Sequence, residues 1–178
     1  MPRWGRLLVG FLLLSGCGAQ PTISGGAPMA MRVSSPAFAE GATIPRRYTC
    51  EGEDRAPELN WSGAPPETRS FVLIMDDPDA PRGTFTHWVL FDLPASLSGL
   101  PEGRPGVGVE GSNDFGRVGY GGPCPPPGHG PHRYFFRLYA LDRESLGLPR
   151  GASRREVEAA MRGHVLAEGQ LMGRYERR

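Results

Sequence analysis

The sequence predicts a mainly β domain with a single helix near its C-terminal end. Three observations carry this expectation. The 178 residues include 26 Gly and 19 Pro, a density of turn formers that suits short strands and tight loops better than a helix bundle. Apolar runs of strand length recur at Ser70 to Met75 (SFVLIM), Thr86 to Leu93 (THWVLFDL) and Phe135 to Leu141 (FFRLYAL). One stretch, Ser153 to Leu166, joins helical periodicity to a helix-start signal.

The 39% hydrophobic and 22% charged residues are those of one soluble domain with a single core. A net charge of +1 gives no broad attraction to nucleic acid or to an anionic membrane. All 20 basic residues are arginine, so neither Schiff-base nor P-loop lysine chemistry is on offer.

The chain opens MPRWGRLLVGFLLLSGCGAQ. Arg3 and Arg6 precede an apolar core, Leu7 to Leu14, that is too short to span a membrane and therefore reads as a signal peptide over residues 1–16. Leu14-Ser15-Gly16-Cys17 resembles the bacterial lipoprotein box, in which Cys17 is lipidated and becomes the mature N-terminus. An ordinary secretory peptide is the alternative, and both export the protein. Residues 17–30, small and rich in Gly and Pro, read as a tether, with one domain over 31–178.

Within that domain, Met31 to Phe38 reads as a first strand bent at Pro36. Arg46 to Asp54 is turn-rich, Leu59-Asn60-Trp61 is a short apolar point, and Leu97 to Arg117 is a long irregular connection. Ser153 with Glu156 forms a capping box, and Val157, Ala160, Met161, His164 and Val165 make one apolar stripe, on which His164 reads as a packed residue. Gly169 to Glu176 reads as a closing strand.

Chemistry concentrates in Gly119 to Tyr134, GYGGPCPPPGHGPHRY. Its prolines and glycines exclude a helix and a central strand, yet it runs directly into the strand at Phe135. A stiff loop carrying His129, His132, Cys124 and Tyr134, anchored to a buried strand, suits a ligand site, although a proline-rich linker or polyproline ligand fits the composition too. The G-x-G-x-x-G run at Gly106 to Gly111 is no dinucleotide fingerprint, because Pro105 precedes it and no helical pattern follows. Asp76 to Pro81 supplies three carboxylates but lacks the spacing of a calcium loop. A carboxylate beside a histidine favours imidazolium, and imidazolium beside glycine-turn N–H groups makes an anion cradle.

DPDAP at Asp77 to Pro81, His87-Trp88 and the GYGGPCPPPGHGPHRYFFRLYAL run resemble the phosphatidylethanolamine-binding protein family, most closely its bacterial, Raf-kinase-inhibitor-like branch. The similarity extends through YTCEGED and GHVLAEGQLMGRYER and covers about Val33 to Arg177. The resemblance implies an antiparallel β-sandwich with Greek-key connections. It also implies a pocket for a small anion or phosphorylated headgroup, lined by Asp77, Pro81, His87, Pro125, Pro126, His132 and Tyr134. The chain ends shortly after Tyr175, which leaves the C-terminal rim helix of animal members in question.

Cys50 and Cys124 are an even pair in a domain read as exported, so a disulfide stiffening two pocket loops is the first expectation. A zinc site using His87, His129, His132, Cys124 and Asp77 is the rival, without any H-E-x-x-H or paired C-x-x-C spacing. The function expected is binding rather than catalysis, without cofactor or metal, in a protein lipid-anchored to the bacterial cell envelope. An envelope protein-interaction module such as a protease inhibitor, and a zinc-dependent hydrolase, are the alternatives.

Overall fold

Apart from Met1, the computed structural model describes residues 29–178. The leader read over 1–16, Cys17 and most of the tether lie outside the described residues. The elements are β1 (Met29–Ala30), β2 (Arg32–Ser34), β3 (Leu59–Ser62), β4 (Ser70–Asp77), β5 (Phe85–Pro94), β6 (Gly99–Leu100), β7 (Val109–Glu110), β8 (His132–Leu141), α1 (Arg154–Met161) and β9 (Val165–Tyr175).

They form two sheets, one of six strands in the order β1-β9-β8-β4-β5-β7 and one of three in the order β2-β3-β6. All pairings are antiparallel except β1 with β9. After β5 the chain visits β6 in the other sheet and the edge strand β7, then returns as β8 on the far side of β4. That crossover gives the sandwich its Greek-key character.

Every residue of β4 is buried, because strands flank it on both sides and side chains cover both faces. Phe71, Leu73 and Met75 face the sandwich core with Trp88, Leu90, Tyr134, Phe136 and Leu138. Val72 and Ile74 face a second core under α1 with Val89, Phe91, Val157 and Met161. A continuous apolar run is what a strand buried on both faces requires.

The structure moves several boundaries. Met29 and Ala30, read as tether, pair in parallel with Ala167 and Glu168. The strand expected over Met31 to Phe38 contracts to β2, and Phe38 instead inserts its ring into the sandwich core beside Phe136. The connection over Leu97 to Arg117 contains the two-residue strands β6 and β7, and β7 carries part of the G-x-G-x-x-G run on a sheet edge. Strand β8 begins at His132 rather than Phe135, so His132 and Tyr134 belong to a strand and not to the loop.

The capping box of α1 is present: Ser153 Oγ accepts from Glu156 N–H, and the Glu156 carboxylate accepts from Ser153 N–H. The helix stops at Met161 because Gly163, at φ +80°, turns the chain into β9, which starts at Val165. His164 therefore leaves the helix stripe. Its Nδ1 lies 2.8 Å from Asp142 Oδ1 in a partly exposed pair.

Candidate functional site

The carboxylates of Asp76, Asp77 and Asp79 separate because a strand alternates its faces. Asp76 points toward the helix layer and holds Arg137 Nε at 3.1 Å and Arg154 Nη1 at 2.9 Å. Asp79 clamps Arg133, accepting from its backbone N–H and from its guanidinium at 2.9 and 2.7 Å, which lowers the Asp79 carboxyl to about 2. Asp77 turns inward. Its Oδ1 accepts from Asp79 N–H at 2.8 Å and its Oδ2 from His132 Nδ1–H at 2.7 Å. A carboxylate only accepts, so this contact fixes a proton on His132 Nδ1.

His87 reaches the same place through a β-bulge. Pairing of β4 with β5 passes from Met75–Trp88 to Asp76–Thr86, which leaves His87 as the extra residue. A bulge re-aims a side chain at a site edge, and here it sets the His87 ring 5.2 Å from the ring of Tyr134. His87 Nδ1–H donates to Gly121 O at 2.7 Å, and Gly121 N–H donates back to His87 O at 3.0 Å. Burial lowers the His87 pKa, partly opposed by the Gly121 carbonyl and the Asp77 charge. The lowered pKa favours neutral His87, with Nε2 as an acceptor.

The loop from Gly119 is fixed by close backbone approach. A Cβ on Gly122 would collide with Tyr48 O, and Gly122 N–H donates to Asp54 Oδ1 at 2.7 Å. Tyr120 Oη donates to Tyr48 O at 2.7 Å. Cys124 is bonded to Cys50, S–S 2.05 Å, joining this loop to the turn after Tyr48. These ties hold Pro125 and Pro126 as a wall.

One cavity of about 430 Å³ results. Six of the residues named from the sequence line it: Asp77, Pro81, His87, Pro125, Pro126 and His132. Tyr134 does not line it. It lies fully buried behind His87, its hydroxyl facing Asp77 and the Cys124 backbone without a well-formed hydrogen bond among the described residues. Burial, with the Asp77 charge, raises the Tyr134 pKa far above the tyrosine range, so the hydroxyl keeps its proton. A buried hydroxyl without a partner is a group that a bound water would satisfy.

Sequence reasoning missed three contributors. Phe85 and Phe115 line the cavity and flank His87 at 5.1 and 5.3 Å, and Arg82 stands exposed at its mouth. Nothing in their local spacing marks them, since strand pairing and a loop 28 residues away bring them together. His129, named from the sequence as a loop residue and a zinc-ligand candidate but not as a pocket residue, has its Nδ1 2.9 Å from His132 Nε2. Among the described residues no three metal-ligating side chains converge, and Cys124 is committed to its disulfide.

The family model for phosphatidylethanolamine-binding protein matches residues 34–176. A relative from Aquifex aeolicus, described as a UPF0098 protein, is 53% identical, covering 97% of this chain and 98% of its own length. The crystal structure of the phosphatidylethanolamine-binding protein homologue CT736 from Chlamydia trachomatis superposes with a TM-score of 0.79 at 40% identity, covering 84% of this chain and 99% of that one. YbcL of E. coli, described as a member of the mammalian PEBP family, gives 0.78 at 32% identity over 83% and 99%. With the sandwich, the helix and the match along nearly the whole described domain, the chain belongs to the phosphatidylethanolamine-binding protein family.

Proposed function

We propose that the chain is a binding protein for a small oxyanion, above all the phosphate group of a phosphorylated headgroup. The observation that carries this reading is the buried Asp77–His132 pair in the lining of a cavity that His87 also lines, with the Tyr134 hydroxyl buried behind His87 and outside the lining. Asp77 accepts from His132 Nδ1–H and so orients the ring, which leaves Nε2, once freed from its neighbour, as the nitrogen that can meet an anion oxygen. Neutral His87 offers an acceptor, which suits a ligand bearing its own proton, such as a singly protonated phosphate. The walls of Ala80, Pro81, Phe85, Phe115, Pro125 and Pro126 are apolar and suit an organic ester better than the bare ion.

The disulfide and the Leu14 to Cys17 run support reading the protein as exported and lipid-anchored, because disulfides persist in oxidising compartments. Fractionation of the producing cells tests this: the wild-type protein stays with membranes, Cys17→Ala is released, and retention of Cys17→Ala removes the anchor.

Calorimetric titration with inorganic phosphate and with a glycerophosphodiester tests the ligand class. Saturable binding that His132→Ala weakens at least tenfold is the expected result. Binding unaffected by His132→Ala moves the ligand elsewhere.

A further inference from the structure

His132 Nε2 is not free in this structure. His129 Nδ1 lies 2.9 Å from it, with the two rings inclined at 64° and their centroids 5.1 Å apart. His132 is buried while His129 is exposed and does not line the cavity, so His129 covers the nitrogen that a ligand needs. His129 sits at the tip of a turn closed by its N–H on Pro126 O, between Gly128 and Gly130 at φ +74° and +85°, neither with atoms crowding it. Gly128 N–H donates to Arg177 O at 3.0 Å, so release of His132 Nε2 is a rotation of the exposed His129 side chain rather than a movement of the turn.

Proton counting makes this contact conditional. Asp77 fixes one proton on His132 Nδ1. A single proton must then lie between His132 Nε2 and His129 Nδ1, because one nitrogen donates and the other accepts. With that bond intact the two rings carry at most one positive charge. If both become imidazolium, two N–H groups face each other at 2.9 Å and the bond is lost.

We propose that His129 is a proton-sensitive latch on the oxyanion pocket: it occupies His132 Nε2 at neutral pH and yields it to an anion oxygen when the pair takes up a second proton. This rests on the reading of the pocket as an oxyanion site. The groups around the pair are Asp77 and Asp79 from β4 and its turn, Arg133 from β8, His87 from β5 and Arg177 from the C-terminal tail beside Cys124 and Pro125. Arg133 is paired with Asp79 and Arg177 lies 3.9 Å from Glu51, which leaves Asp77 as the charge in direct contact with the pair, with Arg82 in the same cavity lining.

The test is phosphate affinity of wild type, His129→Ala and His129→Asn from pH 5 to 8, taken as ratios at each pH so that phosphate's own titration cancels. Near pH 7.5, His129→Ala binds roughly two- to tenfold tighter than wild type, the worth of one competing hydrogen bond. Toward pH 5 that gap closes, because the wild-type latch is already open. The Asn side chain places a non-titrating amide where Nδ1 stood, so His129→Asn keeps a gap to His129→Ala at both ends of the range. A His129→Ala affinity equal to or below wild type at every pH overturns the latch alone. Absence of phosphate binding by the wild type at any pH removes the pocket reading and the latch together.

Discussion

His132 donates its Nδ1 proton to Asp77 across 55 positions of sequence, at 2.7 Å, with both side chains at most 4% exposed. The pair ties the end of β4 to the start of β8, and it is also the polar end of the cavity. Removing one member leaves the other buried without its partner. Asp77→Ala is therefore expected to lower the unfolding free energy by about 3 kcal/mol, with Asp77→Asn losing less because its carbonyl still accepts from His132. Urea unfolding measures this; a change below about 0.5 kcal/mol would mean that the pair does not support the fold.

His87 gives a pH dependence of definite sign. Burial lowers its folded pKa below the ordinary value of 6.5. The unfolded chain then binds the proton first as pH falls, so stability is full above about pH 6.5 and is lost below it. Thermal unfolding from pH 7.5 to 5 should show a fall that His87→Gln reduces. A slope identical in the variant would place the titrating group elsewhere.

Asp79 acts lower on the scale. Its carboxyl is lowered from 3.8 to about 2 by the Arg133 clamp, so its contribution is present above about pH 4 and disappears as pH falls toward 2. The pair is partly exposed and screened, which keeps the effect small. Asp79→Asn should flatten this last part of the acid transition while leaving stability at pH 7 nearly unchanged. A large loss at pH 7 would show a structural role beyond the ion pair.

The disulfide closes a loop of 74 positions between two walls of the site. Constraining an unfolded loop of that length is worth about 4 kcal/mol in the chain-entropy account. Reduction, or Cys50→Ser with Cys124→Ser, should lower stability by about 2–4 kcal/mol and weaken phosphate binding further, since Cys124 and Pro125 form one wall. Unchanged stability after complete reduction would contradict this.

What was legible in the sequence followed the strength of local signals. The apolar runs that became β4 and β5, and the Ser153–Glu156 cap, are properties of neighbouring residues and were visible at once. The resemblance to a known family then named the residues of the pocket, and the cavity contains all of them except Tyr134. What escaped depends on pairing between distant segments. The bulge that turns His87 inward arises from the register with β4. Glycine at 163 ends the helix stripe that periodicity alone would carry on to Leu166. Phe115 meets His87 only because the loop after β7 folds back over the sheet. The His129–His132 contact needs a turn geometry that the letters G-H-G-P-H do not specify.

The most direct measurement of the central claim is a crystal structure of the protein soaked with phosphate near pH 5.5. The account predicts density for the anion inside the 430 Å³ cavity, within hydrogen-bond distance of His132 Nε2 and with the His129 ring moved away. Phosphate found only on surface arginines, with the His129–His132 contact intact and the cavity holding water alone, would contradict it.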